Sequence, residues 1–143
     1  MDQSLQVMTL YNELWRPTGL DRAEDVIAPH FVRYGSSGQF SGVPAFKRYV
    51  THYLNAFPDL RFTVEDWLAQ GRKVMIHYSF TGTHERAFMG MAATGRWIRA
   101  EGVAIYRIAD GKLVELWDFL DLFGIAEQFG VQLQSVNPAL SWK

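Results

Sequence analysis

Residues 101–121 read EGVAIYRIADGKLVELWDFLD, and the fold turns on them. Asp110-Gly111 stands between two runs rich in β-branched, aliphatic and aromatic residues. A type I′ turn needs φ > 0 at both central positions, which Asp-Gly supplies at low cost, so a two-residue hairpin is predicted. Counting outward from an Ala109–Lys112 pair sets Tyr106 opposite Glu115, Ala104 opposite Trp117, Gly102 opposite Phe119 and Ala100 opposite Asp121. Strand alternation puts these residues on one face and Val103, Ile105, Val114, Leu116, Asp118 and Leu120 on the other. Both faces are largely apolar, so both are expected to be covered. Small residues facing large aromatics leave space for a ligand. A carboxylate at the end of a buried strand needs a reason to be there.

Upstream of the hairpin the hydrophobic period is 2 back to residue 61. Residues 61–68, 73–81, 96–108 and 112–120 read as strands, with Gln70-Gly71 and Asp110-Gly111 as turns between antiparallel neighbours. In the second of these, Val74, Ile76, Tyr78 and Phe80 alternate with Met75, His77 and Ser79. Before residue 60 the period is helical. Val7, Tyr11, Leu14 and Trp15 predict a helix over 4–15, stopped by Pro17. A short helix over 20–28 is expected to end at Pro29, followed by a strand over 30–34 and a Gly/Ser loop over 35–42. Phe46, Tyr49, Val50, Tyr53, Leu54 and Phe57 form the clearest amphipathic stripe, opened by Pro44 and closed by Pro58. Tyr49 or Tyr53 is placed to turn a hydroxyl into a cavity. Residues 82–95 form a glycine-punctuated loop, 124 onward a short closing turn or helix, and 132–143 a tail. Helices first and strands last predict an α+β domain over 1–143: three N-terminal helices on a curved, mainly antiparallel sheet. Its cavity lies between the two layers.

Composition narrows the function. A net charge of −1 gives no nucleic-acid or anionic-membrane surface. No cysteine means no disulfide, thiolate metal site or thiol nucleophile. No signal peptide and no 18-residue apolar run is visible, so a cytoplasmic location is expected. The four histidines His30, His52, His77 and His84 make no H-E-x-x-H or close pair, so no metal site is expected. Dinucleotide, P-loop and nucleophile-elbow motifs are missing. Acid–base chemistry by a carboxylate, with or without a histidine, remains.

The candidates are Asp121, Asp118, His84, His77, Asp59 and Glu115. In the predicted register Asp118 and Asp121 point to opposite faces, and a single bulge would exchange them. Asp121 shares its face with Trp117 and Phe119. His84 lies in the loop over the expected cavity mouth. Asp59 follows Phe57-Pro58 and shapes a turn, and Glu115 sits near the hairpin end.

Gly82-Thr83-His84, Phe88-Met89-Gly90, Thr94-Gly95, Asp110-Gly111-Lys112 and Glu115-x-Trp117-x-x-x-Asp121, with Ala56-Phe57-Pro58-Asp59-Leu60 before them, resemble the SnoaL-like polyketide cyclase family. The resemblance covers roughly residues 5–130 and rests on order and spacing, each motif alone being short. It implies the α+β cone of the NTF2-like superfamily, a pocket under the sheet, and homodimers or higher homo-oligomers. It also implies a cofactor-independent enzyme that closes a ring on a small aromatic or polyketide-like carbonyl compound by intramolecular aldol condensation. Relatives that hydroxylate polyketides, and hydrolase or purely ligand-binding versions of the fold, are the alternatives. The family's acid–base aspartate is carried to Asp121, with His84 as its partner at the mouth. The expected substrate walls are Trp117, Phe119 and Tyr106 from the hairpin, Tyr53 and Phe57 from the helix, and Phe88 and Met89 from the loop. One departure stands on the first strand, where the family often has a histidine and this chain has Arg33-Tyr34.

Overall fold

The computed structural model of the chain describes residues 3–132. Most of the expected 132–143 tail therefore lies outside the described residues. Helix α1 (Gln3–Glu13) leads through a 3₁₀ turn (Leu20–Arg22) to the single-turn α2 (Ala23–Val26). Strands β1 (Ile27–Gly35) and β2 (Phe40–Ser41) precede α3 (Val43–Ala56). Then come β3 (Arg61–Gln70), β4 (Lys73–Thr83), β5 (Trp97–Ala109), β6 (Lys112–Leu120) and the closing α4 (Leu122–Phe129). The six strands form one curved sheet in the order β2-β1-β6-β5-β4-β3. Every pairing is antiparallel except β1 with β6. None of the described helices is long and apolar enough to cross a membrane.

The α+β expectation holds, with two local differences. Pro29 does not end a helix but lies within β1, where the β1–β6 register breaks between Ile27 and Val32. Proline has no N–H for a ladder, which suits such an irregular stretch. The loop over 35–42 also contains the two-residue strand β2. Helix α3 behaves as its stripe demands: Pro44 sits in its first turn, and Phe46, Tyr49, Val50 and Tyr53 are buried. The inward faces of β4, β5 and β6 close the other side of the same core.

The hairpin forms at Asp110-Gly111, with φ of 53° and 76°, as a type I′ turn requires. Ala109 pairs with Lys112 and Ile108 with Leu113, as counted from the sequence. The next pair is Arg107 with Glu115, so Val114 is an extra residue on β6. Beyond this bulge every β6 side chain exchanges faces relative to the simple count. Ala104 pairs with Asp118 and Gly102 with Leu120, in place of Trp117 and Phe119.

Candidate functional site

A small cavity lies between α1, α3 and the inner sheet face. Its walls are Tyr11 and Trp15 from the α1 region, Tyr49 and Tyr53 from α3, and Leu60 and Phe62 at the start of β3. Tyr78 and Phe80 of β4, Tyr106 of β5 and Asp118 of β6 complete it. Its volume is about 20 Å³, room for a single water molecule. Asp118 is the one carboxylate in the wall, and it is only 5% exposed.

Three donors converge on that carboxylate. Tyr78 donates its phenolic hydrogen to Oδ1 at 2.6 Å, and Tyr49 donates to Oδ2 at 2.8 Å. Arg33 Nη2 donates to Oδ2 at 3.2 Å. The Arg33 guanidinium lies 4.9 Å from the Tyr49 ring centroid, and its Nη1 donates to the Gly38 carbonyl at 3.0 Å. Burial pushes the Tyr49 and Tyr78 phenols well above the ordinary tyrosine range, and the negative charge of Asp118 pushes further the same way. Both therefore remain protonated donors at neutral pH. Burial opposes the charge on Arg33, while the Asp118 carboxylate beside it favours that charge, and the guanidinium pKa lies above its usual value. A carboxylate offers about four lone-pair sites. Oδ2 accepts two donors and Oδ1 one, which leaves one site on Oδ1 without a partner among the described residues. A buried ion pair of this kind is costly to break: losing one partner typically costs about 3–5 kcal/mol.

Small residues make this convergence possible. Tyr78 pairs with Gly102 across β4–β5, and Ala104 pairs with Asp118 across β5–β6. The Tyr78 ring thus crosses the whole width of β5 to reach the carboxylate. A Cβ on Gly102 would lie 2.4 Å from the Tyr78 hydroxyl oxygen. The backbone under Asp118 is equally tight. Gly35 pairs with it from β1, and a Cβ there would fall 1.8 Å from the Asp118 carbonyl oxygen. Ser36 donates its N–H to that carbonyl at 3.1 Å, while its Oγ accepts the Leu120 N–H at 3.0 Å.

The bulge corrects several expectations. Asp121 does not point into the cavity. It is exposed and caps α4, its Oδ1 accepting the Gly124 N–H at 2.9 Å. Asp118 takes the inward position instead. Trp117 and Phe119 are on the outer face, where Trp117 stacks on Tyr34 at 5.4 Å and Phe119 is 53% exposed. His84 is not at a mouth either. It is fully buried, in contact with Thr94 Oγ1 through Nδ1 at 3.0 Å and stacked on Phe129 at 3.8 Å. Phe57, Phe88 and Met89 are buried but belong to the neighbouring core, behind the wall formed by Tyr53 and Phe80. Tyr53 and Tyr106 do lie in the cavity wall. Among the other candidates, Asp59 accepts from the Thr83 N–H and hydroxyl, and Glu115 pairs with Arg107 near the turn. His77 faces Glu101 on the outer sheet surface.

The roles of Arg33 and Tyr78 were missed, although both had a signal. Arg33 shares strand parity with buried Phe31 in HFVRY, and Tyr78 shares it with Val74, Ile76 and Phe80.

A family model for SnoaL-like polyketide cyclases matches residues 5–129. The chain belongs to that family. No curated protein matches it in sequence. Among solved structures it is similar to TsrD from Streptomyces laurentii, with a TM-score of 0.83 and 21% identity over 92% of this chain and 99% of that one. It is also similar to IdmH, a proposed polyketide cyclase from Streptomyces antibioticus. There the TM-score is 0.78, with 24% identity over 91% of this chain and all (100%) of that one. AclR from Streptomyces galilaeus, a proposed hydroxylase, is 28% identical with a TM-score of 0.75, over 89% of this chain and 82% of that one. The SnoaL-like fold is thus the frame on which Asp118, Arg33, Tyr49 and Tyr78 are mounted.

Proposed function

We propose that this SnoaL-like protein is a cofactor-independent acid–base enzyme acting on a flat carbonyl compound, with Asp118 as the group that moves the proton. The observation that carries the reading is the open site on Asp118 Oδ1, in an otherwise fully engaged carboxylate facing an aromatic cavity. Oδ1 removes a proton from a carbon next to the substrate carbonyl, and the C–H electron pair moves onto the carbonyl oxygen as an enolate. In an intramolecular aldol closure the enolate carbon then bonds to a second carbonyl carbon of the same molecule. The resulting alkoxide takes the proton back from Asp118, so the site ends as it began. Arg33 and Tyr49 hold Oδ2 and so fix the direction in which Oδ1 faces. Tyr78 holds its one O–H on Oδ1 in the resting site and turns it toward an oxyanion formed beside it once Oδ1 has taken the proton. A planar substrate needs the cavity of about 20 Å³ to widen, and the phenol and indole rings that line it would then stack on and orient it.

The proton step is testable without the natural substrate. In D₂O the protein should accelerate exchange of the C2 protons of 1-tetralone, followed by NMR. Folded Asp118→Asn should lose roughly 10²-fold or more of that acceleration, while Asp121→Asn should retain it. Binding of the ketone without accelerated exchange would mark a ligand-binding module instead. Equal rates for wild type and Asp118→Asn would remove Asp118 from the chemistry.

A further inference from the structure

The loop over 84–95 is closed at its base by two main-chain bonds, His84 N–H to the Arg96 carbonyl and Gly95 N–H to the His84 carbonyl, each 2.8 Å. At its tip Phe88 and Met91 exchange main-chain hydrogen bonds of 2.9 and 2.8 Å around Met89-Gly90, whose φ values are 49° and 82°. A positive φ is ordinary for Gly90 and unfavourable for Met89, which carries a Cβ. Such a turn persists only where its surroundings hold it. Phe88, Met89 and Met91 are all buried, so the tip is pressed into the core. The Phe88 ring lies 5.1 Å from that of Tyr53 and so backs the wall of the Asp118 cavity.

Two N–H groups of this loop are received by imidazole nitrogens. Met89 donates to Nε2 of His52 at 3.2 Å, and the His52 ring stacks on Phe88 at 5.3 Å. Thr94 donates to Nδ1 of His84 at 3.3 Å. An amide N–H can only donate, so neither nitrogen carries a hydrogen. The Thr94 hydroxyl, 3.0 Å from the same Nδ1, therefore donates as well, while its oxygen accepts the Arg96 N–H at 3.2 Å. The one hydrogen of the neutral His84 ring then sits on Nε2, which is buried and makes no hydrogen bond. A carbonyl would receive these N–H groups at any pH. An imidazole does so only while it is neutral.

The surroundings favour neutral rings at physiological pH. Burial disfavours the charged form of both histidines. The Met91 and Arg86 carbonyls act the other way on His84, and burial outweighs them. Its other contacts are uncharged: Phe57 at the end of α3, Phe129 of α4, and Thr94. Beside His52 stands Tyr53, whose phenol burial keeps protonated. The charged residues on the elements packed here are Arg48 of α3, Asp59 after it, Glu85 and Arg86 of the loop, Arg96 before β5 and Glu127 of α4, and all are exposed. Asp59 is taken up by Thr83, and Arg86 and Arg96 by the Asn55 and Gln128 carbonyls.

We propose that the 84–95 loop is an acid-released strap, held by His52 at one arm and His84 at the other. A proton on either ring turns an acceptor into a donor aimed at a donor, and that arm lets go. The released tip takes Phe88 away from Tyr53, so acid loosens the wall of the cavity. The strap stands or falls separately from the role given to Asp118.

Hydrogen exchange of the whole chain, read by NMR, tests it. From pH 7.5 to 5.5 the protection of the Met89 and Thr94 N–H groups, corrected for the intrinsic rate, should fall at least about tenfold. The Ile76 and Ala104 N–H groups in the β4–β5 ladder should keep theirs. The ¹³C-methyl signals of Met89 and Met91 should shift over the same range while that of Met8 stays. A side-chain amide offers a carbonyl near the same place and does not titrate. His52→Gln should therefore steady Met89 and leave Thr94 acid-sensitive, and adding His84→Asn should steady Thr94 as well. The first of these results decides the matter even if the double variant does not fold. Unchanged wild-type protection at Met89 and Thr94, a parallel loss in the ladder, or an undiminished acid response of Met89 in His52→Gln would overturn the proposal.

Discussion

Gly102→Ala tests the architecture of the site with one methyl group. The φ at Gly102 is not positive, so the backbone itself accepts a side chain there. The obstacle is Tyr78. The added Cβ would lie 2.4 Å from its hydroxyl oxygen, 2.5 Å from Cζ and 2.8 Å from Cε1. Either β5 shifts, which overpacking data put at about 1–3 kcal/mol, or the phenol leaves Asp118. Leaving forfeits a hydrogen bond to a charged group, about 1.5–3 kcal/mol. The two escapes overlap, so a destabilisation of about 2–4 kcal/mol is expected. For a chain of this size that is a fall in Tm of roughly 6–12 °C. Urea unfolding measures it, and a cycle with Tyr78→Ala identifies the cause. With the ring gone, Gly102→Ala should cost less than about 1 kcal/mol, because the two positions share one contact. An equal cost in both backgrounds would refute the reasoning, since the ring would then not be what the glycine accommodates.

Two further outcomes follow from features away from the cavity. Burial lowers the pKa of His52 and His84, so the folded chain binds fewer protons than the unfolded one below the usual histidine value of about 6.5. Stability should therefore fall as pH drops from 7.5 to 5.5 and level off beneath the folded-state pKa values. His52 Nε2 accepts the Met89 N–H at 3.2 Å, so His52→Gln should flatten the urea-derived slope, and an unchanged slope would exonerate it. On the outer sheet face Leu68, Met75, Val103 and Phe119 are 73%, 44%, 43% and 53% exposed, an apolar surface suited to a second copy of the chain. Light scattering should give a dimer for wild type and a monomer for Val103→Glu, and a wild-type monomer at micromolar concentration would end that expectation.

The sequence was legible where one period governs a whole element. The α3 stripe, the four long strands and the Asp110-Gly111 turn all follow from local rules of spacing and φ. It was illegible at Val114, because a bulge depends on how two strands twist against each other and a one-strand pattern carries no mark of it. Leu113-Val114 is an apolar pair that satisfies either face. That ambiguity turned Asp121, Trp117 and Phe119 inward in the simple count, where the structure has Asp118 facing the cavity. Asp121-Leu122-Phe123-Gly124 is legible in retrospect as a helix start, with aspartate as the cap three residues before Gly124. Arg33 was hidden differently. A lone arginine in a short strand reads as solvated, and only the fold brings it to a carboxylate 85 positions away.

The extra residue at Val114 also makes the hairpin an odd–even device. The carboxylate is addressed by whether the count from the bulge is odd or even, more than by its distance along the chain. Removing Val114 itself would close the ladder and leave Asp118 opposite Ala104, but with the bulge kept, removing Leu116 would turn Trp117 and Phe119 inward and send the charge out to solvent. Removing two would restore the face but slide the carboxylate roughly 7 Å along the strand, out of reach of the phenol that crosses Gly102. Simple counting from the Asp110-Gly111 turn therefore does not say which face of this hairpin carries the carboxylate.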